Sequence, residues 1–375
     1  MRVLVLTHRL PFAPNRGDRI RAYHLLRQLA TFADVDLVSL VHDAEEATQA
    51  GALEALGIRV RLAPVARMGN YLRGALALPG ATPLTHCLLD SPAVAPAVAG
   101  VVTERRPDVV LAYCSGMARF ALAPPLDTVP LVLDMVDVDS AKWAALARTG
   151  RPPMTWIHER EHRTLSAFER RAADAAVTTL VVNERERDLL LALAPRATVR
   201  VVPNGVDVAR FHAGQPPSHA PVAVFTGVMD YPPNVEAAVW MGREVWPLVL
   251  AACPDARLQI VGASPSPAVR ALAGPAVEVT GMVPDTRPYL WGASVGVAPL
   301  LTARGIQNKV LEAVAAGLPV VVTPVVADGL PAEVMPACVT GDTAARFAAH
   351  VLDLFAAPPA GRRAMAAAAL VSLLV

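Results

Sequence analysis

The chain has 375 residues, of which 54% are hydrophobic and 18% are charged, and its formal net charge is +1. This length exceeds one typical domain and can bury two ordinary cores, whereas the near-neutral charge gives no indication of a nucleic-acid partner. The four cysteines form no metal-like pair and no apolar run approaches the roughly 18 to 20 residues of a membrane span, so we expect a soluble cytoplasmic protein with reduced thiols.

Short β-branched runs alternate with helix-length segments in the first half of the chain. This alternation is typical of buried parallel strands connected by helices. The predicted strands are Val3–Leu6, Val35–Val41, Arg59–Leu62, Val109–Ala112, Leu131–Leu133 and Val177–Val182. Predicted helices between them include Asp18–Ala30 and Glu184–Ala194.

A basic loop follows the first predicted strand. It covers Pro11–Asp18, in which Gly17 would let a ligand approach the backbone closely, and Arg16, Arg19 and Arg21 supply positive charge. The pattern resembles a weak phosphate loop. A single glycine before a helix is equally typical of an ordinary turn, so both interpretations remain open.

An acidic loop follows the predicted strand Leu131–Leu133. Asp134, Asp137 and Asp139 could bind a cation, orient hydroxyl groups or accept a proton at the carboxyl end of that strand. Helix capping by Asp139 or Ser140 is the structural alternative. It accounts for one acid and leaves the other two unexplained.

The segment His158–His162 has the spacing of a zinc protease, because histidines at i and i+4 share a helix face and a glutamate follows the first. The surrounding helix is rich in Glu and Arg and shows no apolar face around the histidines. We therefore predict a solvated helix surface with Glu–Arg pairs at this segment instead of a metal site.

A domain boundary is predicted after residue 202. The turn Pro203–Asp207 is followed by a polar, proline-rich stretch that ends near Pro221. We predict a first domain at 1–202, a linker at 203–220, a second domain at 221–357 and a C-terminal helix at 358–375, which we expect to be short.

The second domain repeats the pattern of the first. Its predicted strands are Val222–Thr226, Leu258–Val261, Val277–Thr280, Val295–Ala298 and Val320–Thr323, and its predicted helices begin at Asn234, Ala268, Thr286 and Gly305. The chain is therefore predicted to be an α/β protein with two doubly wound, Rossmann-like domains. Ligands of such sheets bind beyond the carboxyl ends of the strands, so we expect the site in a cleft between the domains.

The segment from Gly305 to Thr323 carries the strongest functional pattern. A polar stretch opens a helix that bears Asn308, Lys309 and Glu312, and helix N-termini attract phosphate. Lys309 would add a full charge to a diphosphate site, and Glu312 could accept ribose hydroxyls. The chain has two lysines among 34 basic residues, so a lysine here is unusual. An amphipathic helix before a core strand is the structural alternative.

Five segments in order resemble glycosyltransferase family 4. They are LDMVDVDSAKW at 133–143, PNGVD at 203–207, TGVMDYPPNVEA at 226–237, VTGMVPD at 279–285 and ARGIQNKVLEAVAAGLPVV at 303–321. The chain is similar in particular to sugar transferases of bacterial PEP-CTERM/exosortase exopolysaccharide systems. The resemblance covers nearly the whole chain. It implies the GT-B fold, two Rossmann-like domains facing across a cleft, and transfer of a sugar from a nucleotide-diphosphate donor with retention, without a metal or other cofactor.

The resemblance also implies donor-binding residues. Glu312 matches the second glutamate of the family's Glu-x7-Glu motif, which contacts the ribose, whereas Arg304 stands where the first glutamate is expected. Lys309 and Asn308 would then hold the diphosphate and act in catalysis. The remaining donor-side positions are those that match family loops around the phosphates and the nucleobase: Gly17, Gly227, Gly305, Ile306, Gly281, Met282 and Val283.

On the acceptor side, Asp137 lies near the position where many relatives have a histidine, and we interpret it as a catalytic candidate flanked by Asp134 and Asp139. The implied acceptor is a saccharide or a lipid-linked sugar. Peripheral contact with an anionic membrane, on the inner face of the cell membrane, would use basic and apolar residues such as Arg67, Tyr71, Leu72 and Arg73.

Two other functions remain open at the level of sequence. Arg304 and the apolar ending Met365–Val375, which replaces a longer helix of the relatives, are compatible with a non-catalytic scaffold that binds nucleotide sugars. A sugar-nucleotide epimerase would use the same architecture and would convert the donor without an acceptor.

Overall fold

Two units, Met1–Val202 and Pro203–Val375, make up the chain in the computed structural model, which describes residues 1–13, 17–212, 218–303 and 305–373. Each unit contains one parallel sheet whose strands are connected by helices. The prediction of an α/β protein with two Rossmann-like sheets is therefore confirmed.

Over its described residues, the first unit forms a seven-stranded sheet in the order β3-β2-β1-β4-β5-β6-β7, and all neighbouring strands are parallel. The strands are β1 Arg2–Thr7, β2 Asp34–Val41, β3 Arg59–Pro64, β4 Val109–Tyr113, β5 Leu131–Val136, β6 Thr178–Val181 and β7 Val199–Val201. The helices are α1 Gly17–Leu29, α2 Ala44–Thr48, α3 Ala50–Glu54, α4 Arg67–Leu76, α5 Leu84–Leu88, α6 Val94–Glu104, α7 Ser115–Ala121, α8 Asp139–Thr149, α9 Met154–Ala175 and α10 Glu184–Leu193.

The inner strands β1 and β2 of the first sheet bury both of their faces, whereas the edge strands β3 and β7 are partly exposed. In β1, Val3 and Val5 pack into one buried cluster, while Leu4 and Leu6 pack into another. Successive side chains of a strand point to opposite faces, so a strand that is covered on both sides must be apolar almost without interruption. This explains why inner strands such as β1 and β4 are rich in Val and Leu.

The second unit has a six-stranded parallel sheet across its described residues, in the order β10-β9-β8-β11-β12-β13. Its strands are β8 Val222–Thr226, β9 Arg257–Val261, β10 Val277–Gly281, β11 Val295–Ala298, β12 Val320–Val322 and β13 Cys338–Thr340. Its α-helices are α11 Val208–Phe211, α12 Pro232–Trp240, α13 Trp246–Ala252, α14 Pro267–Arg270, α15 Arg287–Gly292, α16 Asn308–Ala315, α17 Pro324–Ala327, α18 Ala344–Ala356 and α19 Pro359–Leu373. A π-helical turn spans Met241–Val245 and a 3₁₀ helix spans Ala332–Ala337.

Each sheet has a point at which the strand order reverses. This switch point lies between β1 and β4 in the first sheet and between β8 and β11 in the second. Ligands of open α/β sheets bind beyond the carboxyl ends of the strands at such a point, because the connections of the two central strands diverge there. The loops after β1, β4, β8 and β11 are therefore the places to look for a functional site.

Two features of the second unit differ from the predictions. Cys338–Thr340 forms the edge strand β13, which the sequence does not predict because three partly exposed residues carry too little periodicity. The helix predicted from Gly305 begins at Asn308. Gly305 has a φ of +58°, a left-handed conformation that cannot belong to a right-handed helix.

The solvated surface predicted for His158–His162 is wrong. Within α9, the side chains of Arg160 and Glu161 are buried. The Glu161 carboxylate accepts hydrogen bonds from the backbone N–H groups of Leu84 at 2.7 Å and Thr85 at 2.9 Å. The Arg160 guanidinium donates at 2.6–2.9 Å to carbonyl oxygens of the segment after α4, namely those of Ala77, Leu78, Gly80 and Thr82. These charged side chains are buried because they supply the partners that an irregular backbone segment lacks.

The two histidines of this segment have separate environments. His162 Nδ1 lies 2.9 Å from the Ser140 carbonyl oxygen, and the His158 ring packs beside Trp143 with ring centroids 5.5 Å apart. Among the described residues, no group of three His, Cys, Asp or Glu side chains is arranged to hold a metal ion.

We predict that Glu161→Gln lowers the free energy of unfolding of the first unit by about 1–3 kcal/mol, because the amide places an NH₂ group against a buried backbone donor. Glu159→Gln is the matched control, since Glu159 is exposed on the same helix and its change should stay within about 0.5 kcal/mol. Urea titrations of the three proteins test this. Equal stability of the two variants would show that Glu161 does not anchor the start of α5.

Candidate functional site

The densest group of predicted residues lies at the switch point of the second sheet. β8 ends at Thr226 and continues into Gly227, whose N–H donates to the Val261 carbonyl oxygen at 3.0 Å. β11 leads through a loop to α16, whose second residue is Lys309. A ligand beyond β8 and β11 would therefore face the Gly227 loop on one side and the start of α16 on the other.

Lys309 is half-buried, and its ammonium group has defined neighbours. Nζ donates a hydrogen bond to Asn234 Oδ1 at 2.6 Å and lies 4.9 Å from the centroid of the Phe225 ring. Burial lowers the pKa of Lys309 to about 7, while the Glu312 carboxylate opposes this shift. Asn234 is the one acceptor that hydrogen-bonds this ammonium within the described residues, so N–H donors remain for an anion.

Glu312 lies one turn further along α16 and is also half-buried. Burial raises the pKa of Glu312 to about 7, and the positive charges of Lys309 and Arg210 oppose this rise. No donor in the described part of the chain hydrogen-bonds its carboxylate. A partly buried acceptor without a donor is suited to a hydroxyl group of a ligand.

Two glycines bring the loops after β8 and β9 together. A Cβ on Gly227 would lie 2.8 Å from Asn234 Nδ2 and 3.4 Å from Lys309 Nζ. Gly262 has a φ of +149°, and a Cβ there would overlap the carbonyl oxygen of Gly227. Packing against the backbone thus requires glycine at position 262, whereas a Cβ at position 227 would displace the Asn234 side chain. The predicted contact of Gly227 with donor phosphates stays a prediction.

The start of α16 is linked to the segment that follows the first unit. Asn308 Oδ1 accepts a hydrogen bond from Asn204 Nδ2 at 3.0 Å, so one end of the Asn308 amide is already engaged. Gly305 and Ile306 precede the helix and are buried, and the side chain of Gln307 makes no cap hydrogen bond. Arg304, predicted to replace the first glutamate of the family motif, lies outside the described residues.

The predicted nucleobase loop begins at the end of β10. Gly281 has a φ of +72°, Met282 is 80% exposed and Val283 is half-buried. The left-handed turn at Gly281 thus leaves a large apolar side chain in solvent at the carboxyl edge of the sheet. Their contact with a base stays a prediction.

In the described part of the chain, three non-glycine residues adopt positive φ angles, and all follow or end strands on the carboxyl side. Cys114 after β4 has a φ of 71°, Val136 at the end of β5 has 66°, and Ser264 after β9 has 54°. A β-branched residue such as valine is especially strained there. Strain of this kind collects at functional sites, where the surrounding structure compensates for it. The carboxyl edges of both sheets are therefore the strained edges.

In the first unit, the predicted acceptor-side residue Asp134 is fully buried in β5. Its carboxylate accepts from Arg21 Nε at 2.8 Å and Nη2 at 3.1 Å, and Arg21 Nη1 donates to the Val202 carbonyl oxygen at 2.8 Å. Burial raises the pKa of Asp134, and Arg21 opposes the shift. This environment fits an internal anchor at the end of the first unit better than contact with an acceptor.

Asp137, in the loop between β5 and α8, and Asp139, the first residue of α8, are both half-buried. The capping expected of Asp139 or Ser140 is wrong, because Val138 is the N-cap residue of α8 and its side chain makes no cap hydrogen bond. Two buried carboxylates from other helices bind the loop backbone instead. Glu186 accepts from Val138 N at 2.8 Å, and Glu169 accepts from Ser140 N at 3.2 Å.

The cost of this anchoring is visible in Glu169. Burial raises the pKa of Glu169 to about 8, and the nearby charge of Asp139 acts in the same direction. Buried carboxylates without a cationic partner are costly, so the backbone of the loop that carries Asp137 is held at an energetic expense.

The arginines that were predicted to make the loop after β1 basic are only partly available to a ligand. Arg19 Nη2 donates to the buried Glu46 carboxylate at 3.0 Å, and Arg21 binds Asp134 as described above. Gly17 is the first residue of α1, and its surroundings and residues 14–16, including Arg16, lie outside the described part. A phosphate contact at Gly17 stays a prediction.

Sequence reasoning missed Asn234, Glu169 and Glu186 as parts of this architecture. Asn234 is predicted only as a helix start, and the spacing of 75 residues to Lys309 gives no sign of their contact. The two glutamates lie in charged helices that resemble solvent-facing ones. The one sequence signal for the role of Asn234 is its place seven positions after Gly227, a glycine that follows the end of a strand.

Comparison with known proteins covers both units. Residues 16–205 match the family model described as glycosyl transferase 4-like domain, and residues 220–357 match the model described as glycosyl transferases group 1. No curated protein matches the chain in sequence.

Several solved structures are similar along the whole chain. Anabaena HepE in complex with UDP and glucose is 16% identical with a TM-score of 0.66, covering 100% of this chain and 94% of that one. Sucrose-phosphate synthase from Thermosynechococcus elongatus is 16% identical with a TM-score of 0.69 and the same coverage. A UDP-forming trehalose-phosphate synthase from Burkholderia vietnamiensis is 13% identical with a TM-score of 0.64, covering 100% of this chain and 96% of that one.

At these identities the solved structures establish the fold alone, whereas the first family model spans more than half of the chain. The two Rossmann-like units, the order of the two family models and the likeness to GT-B structures lead to one conclusion: the chain belongs to the glycosyltransferases, with a 4-like domain followed by a group 1 domain.

Proposed function

We propose that this glycosyltransferase moves a sugar from a nucleoside-diphosphate donor to a saccharide or lipid-linked acceptor in exopolysaccharide biosynthesis, with retention at the anomeric carbon. The observation that carries the proposal is the Lys309 ammonium, 2.6 Å from Asn234 at the switch point of the second sheet, with the Glu312 carboxylate one turn away. The HepE structure contains UDP and glucose, which makes UDP-sugars the first donors to test.

The donor would contact several predicted residues. Lys309, Asn308 and the N–H groups after Gly305 and Ile306 would bind the diphosphate, and Glu312 would accept from the ribose hydroxyls. Arg304 would lie near the donor sugar. The glycines Gly17 and Gly227 would let the phosphates approach the backbone, and Gly281, Met282 and Val283 would hold the nucleobase.

Charge development would determine the mechanism. As the bond between the sugar and the phosphate breaks, negative charge grows on the diphosphate, and Lys309, Asn308 and the start of α16 would stabilise it. Retention needs no protein nucleophile if the acceptor attacks from the side of the leaving group, where a phosphate oxygen takes the hydroxyl proton. Asp137, with Asp139 beside it, would orient that hydroxyl. The proposal requires no metal or other cofactor.

The biological setting rests on the sequence resemblance to PEP-CTERM/exosortase-associated transferases. A donor made in the cytoplasm and a lipid-linked acceptor would place the enzyme in the cytoplasm, peripherally on the inner face of the cell membrane. Helix α4 offers a surface for this contact, because Met68, Tyr71, Leu72 and Leu76 are 64–86% exposed. No helix in the described part of the chain is both long and apolar enough to span a bilayer.

A donor screen separates this function from its alternatives. UDP-, GDP-, ADP- and dTDP-sugars are added in turn, and the donor that raises the melting temperature is then incubated with saccharide acceptors. Transfer to an acceptor with retained anomeric configuration supports the proposal. Binding without transfer or hydrolysis would indicate a scaffold, and conversion of the donor sugar without an acceptor would indicate an epimerase.

We predict that Lys309→Ala lowers turnover by about 100-fold or more, because the leaving diphosphate loses its charged stabiliser. Lys142→Ala is the matched control, since Lys142 is the other lysine of the chain and is exposed on α8. Steady-state rates and thermal melting of both variants are measured. Near-normal turnover in folded Lys309→Ala protein would show that Lys309 does not stabilise the leaving diphosphate.

For Glu312→Ala we predict weaker donor binding with a smaller loss for nucleotides that lack ribose hydroxyls, because only a hydroxyl donates to the carboxylate. Calorimetric titrations compare UDP with its 2′-deoxy and 2′,3′-dideoxy analogues in the wild type and the variant. An equal loss for all three nucleotides would exclude the ribose contact.

We predict that the protein co-sediments with phosphatidylglycerol vesicles at low salt and that added salt releases it, because screening weakens the contribution of the arginines. Replacing Leu72 and Tyr71 by Ser, or Arg67 by Glu, should weaken binding. Phe32→Ser is the matched control, since Phe32 is 59% exposed elsewhere in the first unit. Wild-type protein that remains in the supernatant at low salt would argue for a soluble acceptor.

A further inference from the structure

Asn234 connects the two loops that flank the switch point of the second sheet. It lies in α12, after the Gly227 loop, and is 6% exposed. Its Oδ1 accepts from Lys309 Nζ at 2.6 Å, and its Nδ2 donates to the Val228 carbonyl oxygen at 2.9 Å. One amide side chain therefore joins the loop after β8 to the helix after β11.

The orientation of the Asn234 amide follows from its partners. A backbone carbonyl can accept only from the NH₂ end, and an ammonium can donate only to the oxygen end. With Val228 on one side and Lys309 on the other, a flipped amide would place donor against donor and acceptor against acceptor. The amide oxygen of Asn234 thus faces the ammonium, which also lies 4.9 Å from the centroid of the Phe225 ring.

The chemical type of this partner matters as much as its position. An aspartate at this place would form an ion pair with Lys309 and cancel its charge before any ligand arrived. An asparagine oxygen orients the ammonium through a dipole and leaves the full positive charge for an anion. Gly227 is part of the same arrangement, since a Cβ there would lie 2.8 Å from Asn234 Nδ2.

We propose that Asn234 is the positioning residue of the donor site: its neutral oxygen fixes the Lys309 ammonium where the diphosphate binds, without neutralising it. The proposal rests on the proposed function for the identity of the ligand, whereas the contact between Asn234 and Lys309 can be tested without any ligand. Asn234 itself acts through Lys309.

A double-mutant cycle tests whether Asn234 acts through Lys309. UDP affinity is measured by calorimetry for the wild type, Asn234→Ala, Lys309→Ala and the double variant. Asn234→Ala should weaken UDP binding by about 10-fold or more, the scale of a lost hydrogen bond to a charged group, and should add little once Lys309 is absent.

Asn70 provides the matched control for this cycle. It is a buried asparagine of the first unit whose Nδ2 donates to the carbonyl oxygens of Leu88 and Asp90 at 3.1 and 2.8 Å. Any effect of Asn70→Ala on binding should be the same with and without Lys309. If the effect of Asn234→Ala is also the same in both backgrounds, its role is only structural and the proposal is overturned.

Trace acylation tests the contact without a ligand. The chain has two lysines, so mass spectrometry after a brief pulse of acetic anhydride at a series of pH values gives a titration midpoint for Lys309, with exposed Lys142 as internal standard. Asn234→Asp should raise the Lys309 midpoint by about one pH unit or more, because a carboxylate favours the ammonium, and should leave Lys142 unchanged. Asn234→Ala should lower the midpoint.

The outcomes of the two experiments are distinguishable. An unchanged Lys309 midpoint in folded Asn234→Asp protein would overturn the positioning role, whatever the enzyme binds. If the midpoints shift but the protein binds none of the nucleotides tested, the contact between Asn234 and Lys309 is supported. Its role at a diphosphate site would then be overturned, and the proposed function would fail as well. Thermal melting of each variant establishes that it is folded.

Discussion

The burial of both faces of each parallel sheet is the constraint on which the rest of the structure depends. Strands covered on two sides must be almost wholly apolar, so polar chemistry is confined to the loops where the strands end. The reversal of strand order at β1/β4 and at β8/β11 then selects which loops diverge enough to receive a ligand. Lys309 and Asn234 come from the two sides of one such point, and this topology is what makes their contact available.

The carboxyl edges of the sheets are also where the fold departs from low-energy backbone conformations. Val136 and Cys114 have positive φ angles at neighbouring strand ends in the first unit. Buried Glu169 and Glu186 bind the backbone N–H groups of the adjoining loop, and Glu169 is held in an environment that disfavours its charge. Together they hold the shape of the loop that carries Asp137, which our proposal places beside the acceptor.

In our proposal, Lys309 and Glu312 prepare the donor site for a charged ligand. Burial moves the pKa of the lysine down and that of the glutamate up, each to about 7, so the protein stabilises neither charge fully by itself. In our proposal, a diphosphate would favour the ammonium and ribose hydroxyls would favour the carboxylate. The ligand would then stabilise both charges. This would favour binding of a complete nucleotide over binding of a diphosphate or a nucleoside alone.

Much of this protein could be predicted from the sequence because the signals are local. Continuous apolar runs identify most strands, Gly317 and Pro319 end α16 where expected, and the segment from Gly305 to Glu312 indicates an anion site through residue types that lie within one or two helical turns. Where the signal was short or absent the prediction failed, as for the three-residue strand β13.

Only the tertiary structure decided which charged side chains are buried. Glu161, Glu169 and Arg21 have sequence surroundings typical of solvent-exposed charges, yet each satisfies backbone or side-chain groups that lie far away in the chain. The same holds for the hydrogen bond between Asn234 and Lys309, because partners 75 positions apart are brought together by the order of the strands and not by any local periodicity.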